Sequence, residues 1–194
     1  MILVFATQNK HKLSEIKAIL DGLPVDVFSA SDFPDLPEIV EDGETYAENA
    51  LKKARTVRDF TGYAALADDS GLSVEFLDGA PGVYSARFAG PGCTYADNNL
   101  KLFGLLKGVP IEKRTSHFIC TAALITQSGD EFITEGTLDG YIAFEQKGNS
   151  GFGYDPVFQL PDGKTLAELP FDKKNKISHR AKAFGKMRDL IGNL

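Results

Sequence analysis

The sequence predicts an α/β fold in which helices flank a mixed β-sheet. Apolar segments typical of buried strands alternate with segments whose apolar residues recur at helical spacing. Two β-rich segments surround Ser128-Gly129-Asp130, and this turn predicts a hairpin that makes the sheet mixed rather than wholly parallel. Polar clusters follow several of the apolar segments, as expected where ligands gather outside the carboxyl ends of strands.

The first quarter of the chain predicts a strand, a helix and a second strand. Residues 1–6 are apolar, but they lack a basic leader and end too soon for a signal peptide or a membrane span, so they predict a buried strand. A polar loop over residues 7–12 precedes an amphipathic helix that Gly22 ends. Residues 25–28 predict a short strand, and an acidic loop with several prolines follows over residues 32–42.

The next segments predict a helix and two strands. A capping box at Thr45 and Glu48 marks the start of the helix, and its apolar face continues to Gly62. Strands over residues 64–67 and 72–77 are expected to flank the two adjacent aspartates that lie between them.

The rest of the chain alternates loops with regular segments. In chain order it predicts a loop over 78–92, a helix over 96–107, hairpin strands over 116–126 and 131–138, a loop over 148–155, an extended segment over 156–160 and a helix from about Ser178.

Length and composition predict one globular domain over residues 1–194. With 43% hydrophobic residues, the chain can bury a sizeable core. The formal net charge of −6 disfavours nucleic-acid binding, because polyanions select basic surfaces. Cys93 and Cys120 lie far apart without a CxxC spacing, so the sequence predicts neither a zinc site nor a disulfide, and a reducing cytoplasm is the expected compartment.

Asp68 and Asp69 are the most informative residues, because they follow an apolar strand directly and precede Ser70 and Gly71. Neighbouring carboxylates repel each other, so a fold that brings them together needs solvent or a cation there. Mg²⁺ prefers carboxylate oxygens and water, and the pair therefore predicts a magnesium site. The alternative is an acidic turn at the surface. An acidic run over residues 38–44 offers a further metal ligand, although such runs are usually solvated.

Two loops and a lysine predict nucleotide binding. Residues 7–12 place a hydroxyl, amides and cations where a helix begins, so free backbone N–H groups and the helix dipole are expected to face an anion; the alternative is a solvated helix start. Lys53 is a phosphate candidate or a surface cation. Phe152 and Tyr154 lie in a glycine-rich segment, where a nucleobase could stack; the alternative is an Asp-Pro turn with a core aromatic.

Six segments in order resemble the inosine triphosphate pyrophosphatase family, and they span nearly the whole chain. They are Thr7-Gln8-Asn9-Lys10, Glu48-Asn49-Ala50, Ala67-Asp68-Asp69-Ser70-Gly71-Leu72, Gly82-Val83-Tyr84-Ser85-Ala86-Arg87, Ser150-Gly151-Phe152-Gly153-Tyr154-Asp155 and Ile177-Ser178-His179-Arg180-Ala181. The resemblance implies an elongated mixed sheet with two lobes around a central nucleotide cleft. It also implies a Mg²⁺-dependent homodimer of bacterial type that converts ITP, dITP and XTP to the monophosphate and pyrophosphate.

The resemblance also implies residue roles. Asp69 would be the proton acceptor and a metal ligand. Many relatives carry a second metal-binding glutamate three residues before the glycine that matches Gly43, but that position is Val40 here, so Glu41, or alternatively Glu38, is expected to take its place. Ser70 would contact the substrate. The triphosphate would be held by Thr7, Gln8, Asn9, Lys10, His11, Lys12 and Lys53. The base and sugar would be held by Phe152, Gly153, Tyr154, Asp155, Lys174, His179 and Arg180. From the residues alone, the alternative is that Ser178 is a helix N-cap and that Arg180 forms a surface ion pair, and either is compatible with a role in the site.

Three other classes of function compete with this interpretation, and one of them, a purely structural or interaction protein, would leave ITP untouched in the presence of Mg²⁺. A regulatory module would bind purine nucleotides through the same loops without turnover, but it would not need the two aspartates. An NTPase or kinase acting at the γ-phosphate would release or transfer that phosphate, and no Walker or kinase motif is present in the chain. Identifying the product as pyrophosphate or orthophosphate separates these possibilities.

Overall fold

A computed structural model describes all residues from Met1 to Leu194. The strands are β1 (Ile2–Phe5), β2 (Asp26–Ser29), β3 (Ala64–Val74), β4 (Thr115–Ile125), β5 (Glu131–Ile142) and β6 (Phe158–Gln159). The helices are α1 (Lys10–Leu20), α2 (Tyr46–Thr61), α3 (Tyr95–Leu105), α4 (Phe171–Ile177) and α5 (His179–Ile191). None of these helices combines the length and apolar character needed to cross a membrane.

The six strands form one mixed sheet in the order β2-β1-β3-β4-β5-β6. Strand β1 pairs in parallel with both β2 and β3, whereas β5 pairs antiparallel with β6. Strands β4 and β5 are neighbours joined by a short turn, in which the backbone N–H of Thr126 donates to the carbonyl of Asp130 at 2.9 Å. The predicted mixed sheet and the predicted hairpin are confirmed.

The chain divides into two compact units, in agreement with the prediction of two lobes. Unit 1 comprises Met1–Asp69, Cys120–Gly136 and His179–Leu194. Unit 2 comprises Ser70–Ile119 and Thr137–Ser178. Strands β3, β4 and β5 each contribute residues to both units.

Unit 1 buries apolar side chains on both faces of its part of the sheet. Successive side chains of a strand point to opposite faces, so alternate residues of β3 enter different clusters. Leu66 packs in the cluster that α1 and α5 cover, which contains Phe184 and Met187. Ala65 and Ala67 pack in the cluster that α2 covers. The same alternation decides to which face of the sheet each of the two aspartates of β3 points.

Unit 2 has one apolar core. Leu72 of β3, Leu102 of α3 and Phe158 of β6 belong to it, and the rings of Phe118 and Phe158 lie 4.6 Å apart. Tyr154 also packs in this core. The core therefore anchors the glycine-rich loop that precedes β6.

Several elements differ between the prediction and the structure, among them β5, which continues to Ile142 although its predicted end is at residue 138. Strand β3 runs without a break through the two aspartates, whereas two separate strands were expected, and residues 75–77 form a 3₁₀ turn. Helix α3 covers 95–105 rather than 96–107. Helix α4 was not predicted, because its seven residues are mostly polar and too few to show a helical period.

Candidate active site

Residues 7–12 were predicted as a loop, but only residues 7–9 precede α1, because Lys10, His11 and Lys12 form its first turn and Asn9 caps it. Asn9 Oδ1 accepts hydrogen bonds from the backbone N–H groups of His11 at 2.9 Å and Lys12 at 3.3 Å. Thr7 Oγ1 accepts one from the backbone N–H of Asn9 at 3.1 Å. The expectation that free backbone N–H groups face an anion is therefore wrong for these two positions, because the asparagine cap satisfies them.

The side chains of this loop separate into two groups. Those of Gln8, Lys10 and His11 are exposed, whereas Lys12 is half-buried. Lys12 lies beside Asp68 of β3, so the first turn of α1 is attached to the sheet through an ion pair. The exposed side chains of Gln8, Lys10 and His11 are the ones that solvent and solutes reach.

Asp68 lies in a buried ion network on the face of β3 that α1 and α5 cover. Lys12 Nζ is 3.0 Å from both of its carboxylate oxygens, and Arg180 donates to Oδ2 from Nε at 3.3 Å and from Nη2 at 3.2 Å. Arg180 Nη1 also donates to Glu15 Oε2 at 2.8 Å. Burial raises the pKa of Asp68, but the attraction of Lys12 and Arg180 outweighs burial and holds this pKa well below its usual range.

This network corrects the expectation for Arg180. A surface ion pair was one interpretation of this residue, but Arg180 is only 3% exposed and binds two carboxylates. Arginine suits such a position because its planar group donates several hydrogen bonds in fixed directions. Removing it would leave Asp68 and Glu15 buried with one cation fewer.

Asp69 lies on the opposite face of β3, which α2 covers. Its Oδ2 accepts a hydrogen bond from Asn49 Nδ2 at 3.0 Å, and its Oδ1 is 3.8 Å from Lys53 Nζ. Burial raises the pKa of the Asp69 carboxyl, and Glu41 adds to this effect, whereas Lys53 and Asn49 oppose it. The result is a carboxylate with a raised pKa beside a buried ammonium group.

Asp68 and Asp69 therefore do not form one paired-carboxylate site, contrary to the prediction that a shared cation binds both. Because they are consecutive residues inside a strand, the pleat directs them to opposite faces of the sheet. The ion pairs differ between the two faces, with Lys12 and Arg180 beside Asp68 and Lys53 beside Asp69. Lys53 also attracts Asp68, and Lys12 also attracts Asp69, and both attractions lower the pKa of the aspartate concerned. Mutual repulsion is relieved by separation as well as by charge.

Glu41 is the second carboxylate on the α2 face. Lys53 Nζ lies 2.9 Å from Glu41 Oε2, so one buried lysine contacts both Glu41 and Asp69. Glu38, the alternative candidate, is exposed. No group of three or more His, Cys, Asp or Glu side chains could hold a metal by itself. Glu41 and Asp69 both face the Lys53 ammonium. Two such carboxylates fit Mg²⁺, because this ion binds few protein oxygens and keeps water or phosphate as its other ligands.

Asp155 organises the glycine-rich loop of unit 2. Its Oδ2 accepts hydrogen bonds from the backbone N–H of Phe152 at 2.8 Å and from Lys174 Nζ at 2.7 Å. Gly151 is required next to this carboxylate, because its φ is +78° and a Cβ there would collide with Asp155 Oδ2. The loop is thus held by a buried ion pair.

The two aromatic residues of this loop have different positions. The Tyr154 ring is buried in the core, and its hydroxyl donates to the carbonyl of Ser85 at 2.9 Å. The Phe152 ring is half-buried, with Lys174 Nζ 4.9 Å from its centroid. The core-aromatic interpretation is therefore correct for Tyr154, and stacking of a base on Phe152 stays a prediction.

Three further predicted residues are located as follows. Ser70 is the half-buried residue that follows Asp69 in β3. The Gly153 carbonyl accepts a hydrogen bond from Asn99 Nδ2 at 3.1 Å. His179 is buried at the start of α5, directly after Ser178, which lies between α4 and α5. Their contacts with substrate stay predictions.

Sequence reasoning assigned no role to Asn49, Glu15 or Asn99. Asn49 contacts Asp69, Glu15 binds Arg180, and Asn99 holds the backbone of the glycine-rich loop. For Asn49 a signal was present, because it follows the capping box at a buried position of α2. Glu15 and Asn99 resemble ordinary polar helix residues, and no pattern distinguishes them in the sequence.

The chain matches known proteins along nearly its whole length. The sequence profile of the Ham1 family matches residues 3–190. The dITP/XTP pyrophosphatase of Geobacter sulfurreducens is 52% identical over 191 residues, which cover 98% of this chain and 96% of that protein. The dITP/XTP pyrophosphatase of Desulforamulus reducens is 49% identical over 195 residues, which cover 100% of this chain and 97% of that protein.

Solved structures share the fold. A HAM1 protein from Coxiella burnetii superposes with a TM-score of 0.91 at 38% identity, covering 100% of both chains. A nucleoside-triphosphatase (dITP/XTP pyrophosphatase) from Mycobacterium abscessus has a TM-score of 0.77 at 39% identity, covering 96% of this chain and 97% of that chain. Sequence similarity and structural similarity therefore extend over nearly the whole chain.

Proposed function

Because the chain belongs to the Ham1 family, we propose that it hydrolyses the non-canonical purine nucleotides dITP, XTP and ITP to the monophosphate and pyrophosphate. This reaction removes deaminated purines from the nucleotide pool. The observation that carries the proposal is the buried Asp69, held by Asn49 and Lys53 beside Glu41, in a chain about half identical to dITP/XTP pyrophosphatases.

We propose Mg²⁺ as the cofactor, with Asp69 and Glu41 as its protein ligands. The support is that oxygens of both side chains already face the Lys53 ammonium, at 3.8 and 2.9 Å. When bound, the ion supplies positive charge at the phosphates and lowers the pKa of a coordinated water.

The residues of unit 1 have separate roles in the proposed reaction. Water attacks the α-phosphorus, the bond from that phosphorus to the bridging oxygen breaks, and pyrophosphate leaves. Asp69 accepts the proton of the attacking water, and burial favours this role because it raises the pKa of the carboxyl. Lys10, Lys12 and Lys53 stabilise the charge that develops on the leaving group, since phosphoryl transfer depends mainly on positioning and electrostatics.

Base selection rests on hydrogen-bond direction. Hypoxanthine and xanthine carry a 6-keto acceptor where adenine carries a 6-amino donor. A buried donor such as His179 matches the keto group and opposes the amino group, and sites built on such contacts discriminate by about 10⁴-fold or more. Arg180 is engaged by Asp68 and Glu15, so His179 and nearby backbone N–H groups are the favoured donors. The same proposal gives Phe152 the stacking contact with the base and Lys174 a further contact.

The decisive experiment is product analysis with XTP, dITP, ITP, GTP and ATP in the presence of Mg²⁺. We expect pyrophosphate and monophosphate from the first three substrates and little from ATP. Orthophosphate would indicate an NTPase acting at the γ-phosphate, and nucleotide binding without either product would indicate a regulatory module.

Asp69→Asn tests the catalytic assignment in the same assay. The amide cannot accept the proton and binds a cation weakly, so we expect kcat to fall by at least about 10²-fold. Asp189→Asn is the matched control, because the Asp189 side chain is exposed on α5. Near-normal turnover of Asp69→Asn would remove this residue from the mechanism.

We also propose a homodimer that acts on free nucleotides in the cytoplasm and binds neither nucleic acid nor membrane. The net charge of −6 supports the absence of nucleic-acid binding. Unit 2 exposes 59% of Tyr84, 50% of Tyr95 and 64% of Leu100, and apolar surface of this kind supports a protein interface. Light scattering after size exclusion would give the mass, and a monomer at micromolar concentration would contradict the dimer.

A further inference from the structure

The side-chain amide of Asn49 links the acidic loop to Asp69. Asn49 Oδ1 accepts a hydrogen bond from the backbone N–H of Gly43 at 2.8 Å, and its Nδ2 donates to Asp69 Oδ2 at 3.0 Å. Asn49 is only 1% exposed. A primary amide can make both contacts because it carries an acceptor and a donor on one planar group.

The loop is built to approach this amide closely. A Cβ on Gly43 would lie 2.8 Å from both Asn49 Oδ1 and Glu48 Cβ, which is closer than side chains pack. The capping box of α2 fixes the adjacent backbone: Glu48 Oε2 accepts hydrogen bonds from the N–H groups of Glu44 at 2.7 Å and Thr45 at 3.2 Å. The segment before α2 is therefore attached to the helix at three consecutive backbone N–H groups.

These contacts determine how the two carboxylates are presented. Glu41 lies two residues before Gly43, so the position of the loop sets the position of Glu41. The Asn49 amide occupies Asp69 Oδ2, and the other oxygen, Oδ1, is the one that faces Lys53. One amide thus controls both the placement of Glu41 and the orientation of Asp69.

We propose that Asn49 is a positioning residue that sets the separation and orientation of Glu41 and Asp69 as a pair of ligands for a divalent cation. This inference rests on the proposed function of these carboxylates. Asparagine is not favoured inside a helix, so α2 does not need it for its own stability. Groups that orient metal ligands typically change metal affinity or activity by about 10–100-fold when they are removed.

Asn98 provides a matched control in the same chain. It follows the capping box of α3 just as Asn49 follows that of α2, and it is also 1% exposed. Its amide likewise joins a helix to a loop, accepting from the N–H of Ala89 at 2.7 Å and donating to the carbonyl of Ala86 at 3.2 Å. None of its hydrogen bonds goes to a carboxylate, so Asn98→Ala reports the purely structural effect of losing such an amide.

The test measures Mn²⁺ binding by electron paramagnetic resonance without nucleotide, together with Tm and the Mg²⁺ dependence of XTP hydrolysis. For Asn49→Ala we expect the Kd for Mn²⁺ to rise at least about 10-fold and the half-saturating Mg²⁺ concentration to rise with it. For Asn98→Ala we expect a lowered Tm with a Kd within about two-fold of the wild-type value. Equal Kd values in the two variants would overturn the proposal, as would wild-type protein that binds no Mn²⁺.

Gly43→Ala is a second, independent variant in case Asn49→Ala does not fold. It keeps the Asn49 side chain but displaces the loop that carries Glu41, so it is also expected to weaken Mn²⁺ binding. An unchanged Kd for this variant would contradict control of Glu41 by the loop. Failure of the proposed function is a distinct result, namely wild-type protein that binds Mn²⁺ but releases no pyrophosphate from XTP; the Kd comparison still decides the role of Asn49.

Discussion

Replacing Lys174 with methionine removes the ammonium from a buried ion pair and keeps a side chain of similar length. Lys174 Nζ lies 2.7 Å from Asp155 Oδ2, and the two side chains are only 4% and 6% exposed. A buried charge that loses its partner destabilises a protein by about 3–5 kcal/mol. Asp155 keeps the hydrogen bond from the Phe152 N–H, so we expect the lower end of this range, about 3 kcal/mol.

That loss corresponds to a decrease in Tm of about 6–12 °C, since about 1 kcal/mol shifts Tm by about 2–4 °C in a chain of this size. The assay is a double-mutant cycle in urea with Lys174→Met, Asp155→Asn and the double variant. Asparagine keeps an oxygen for the Phe152 N–H. The double variant leaves no unpaired charge buried at this pair. Its loss in free energy of unfolding should therefore be smaller than the sum of the two single losses by at least about 1.5 kcal/mol.

The control is Lys147→Met, which removes an exposed ion pair from the same unit. Lys147 Nζ lies 3.3 Å from Glu145 Oε1, with the side chains 50% and 72% exposed. We expect the free energy of unfolding to change by no more than about 0.5 kcal/mol. The expected coupling would be refuted if the losses of the two single variants summed to the loss of the double variant within about 0.5 kcal/mol, because the two side chains would then be energetically independent.

Three further substitutions in unit 1 test a close backbone contact, a helix cap and an exposed ion pair. Gly136→Ala should lower the free energy of unfolding by about 1–3 kcal/mol in a urea titration, because its Cβ would collide with the backbone of His179 and Ala183. Thr45→Ala removes the N-cap of α2 and should lower the free energy of unfolding by about 1 kcal/mol in the same measurement; an unchanged value would mean that the side-chain cap does not stabilise the helix. Arg55→Ala breaks an exposed bidentate pair at 2.7 Å and should change stability by less than about 1 kcal/mol; a larger loss in calorimetry would contradict its surface character.

The local elements were largely readable from the sequence. The capping box at Thr45 and Glu48 predicts the start of α2 because both of its hydrogen bonds join residues three positions apart. The turn at Ser128-Gly129-Asp130 predicts the β4–β5 connection for the same reason, since only local chain geometry is involved. Helix α4 lies beyond such reasoning because its short polar sequence carries no periodic signal.

The sequence predicted which residues belong to the candidate site, but not how these residues are arranged in space. The motif around Asp69 predicts which carboxylates take part in the chemistry. Had the segment been interpreted as one continuous strand, alternation along the strand would have separated Asp68 from Asp69. Interpreting it as two strands with a turn led to the wrong expectation of a shared cation. The partners of each aspartate lie far away in sequence, such as Arg180 beside Asp68.

The sequence by itself determined the order of most strands and helices, the mixed character of the sheet, the family resemblance and the residues that carry charge into the site. Only the tertiary structure decided that Asp69 faces Asn49 and Lys53, that Arg180 is buried against two carboxylates, and that Tyr154 lies in the core. The physical reason is range: caps, turns and periodicity act over a few residues, whereas burial and ion pairing depend on which distant segments the folded sheet brings together.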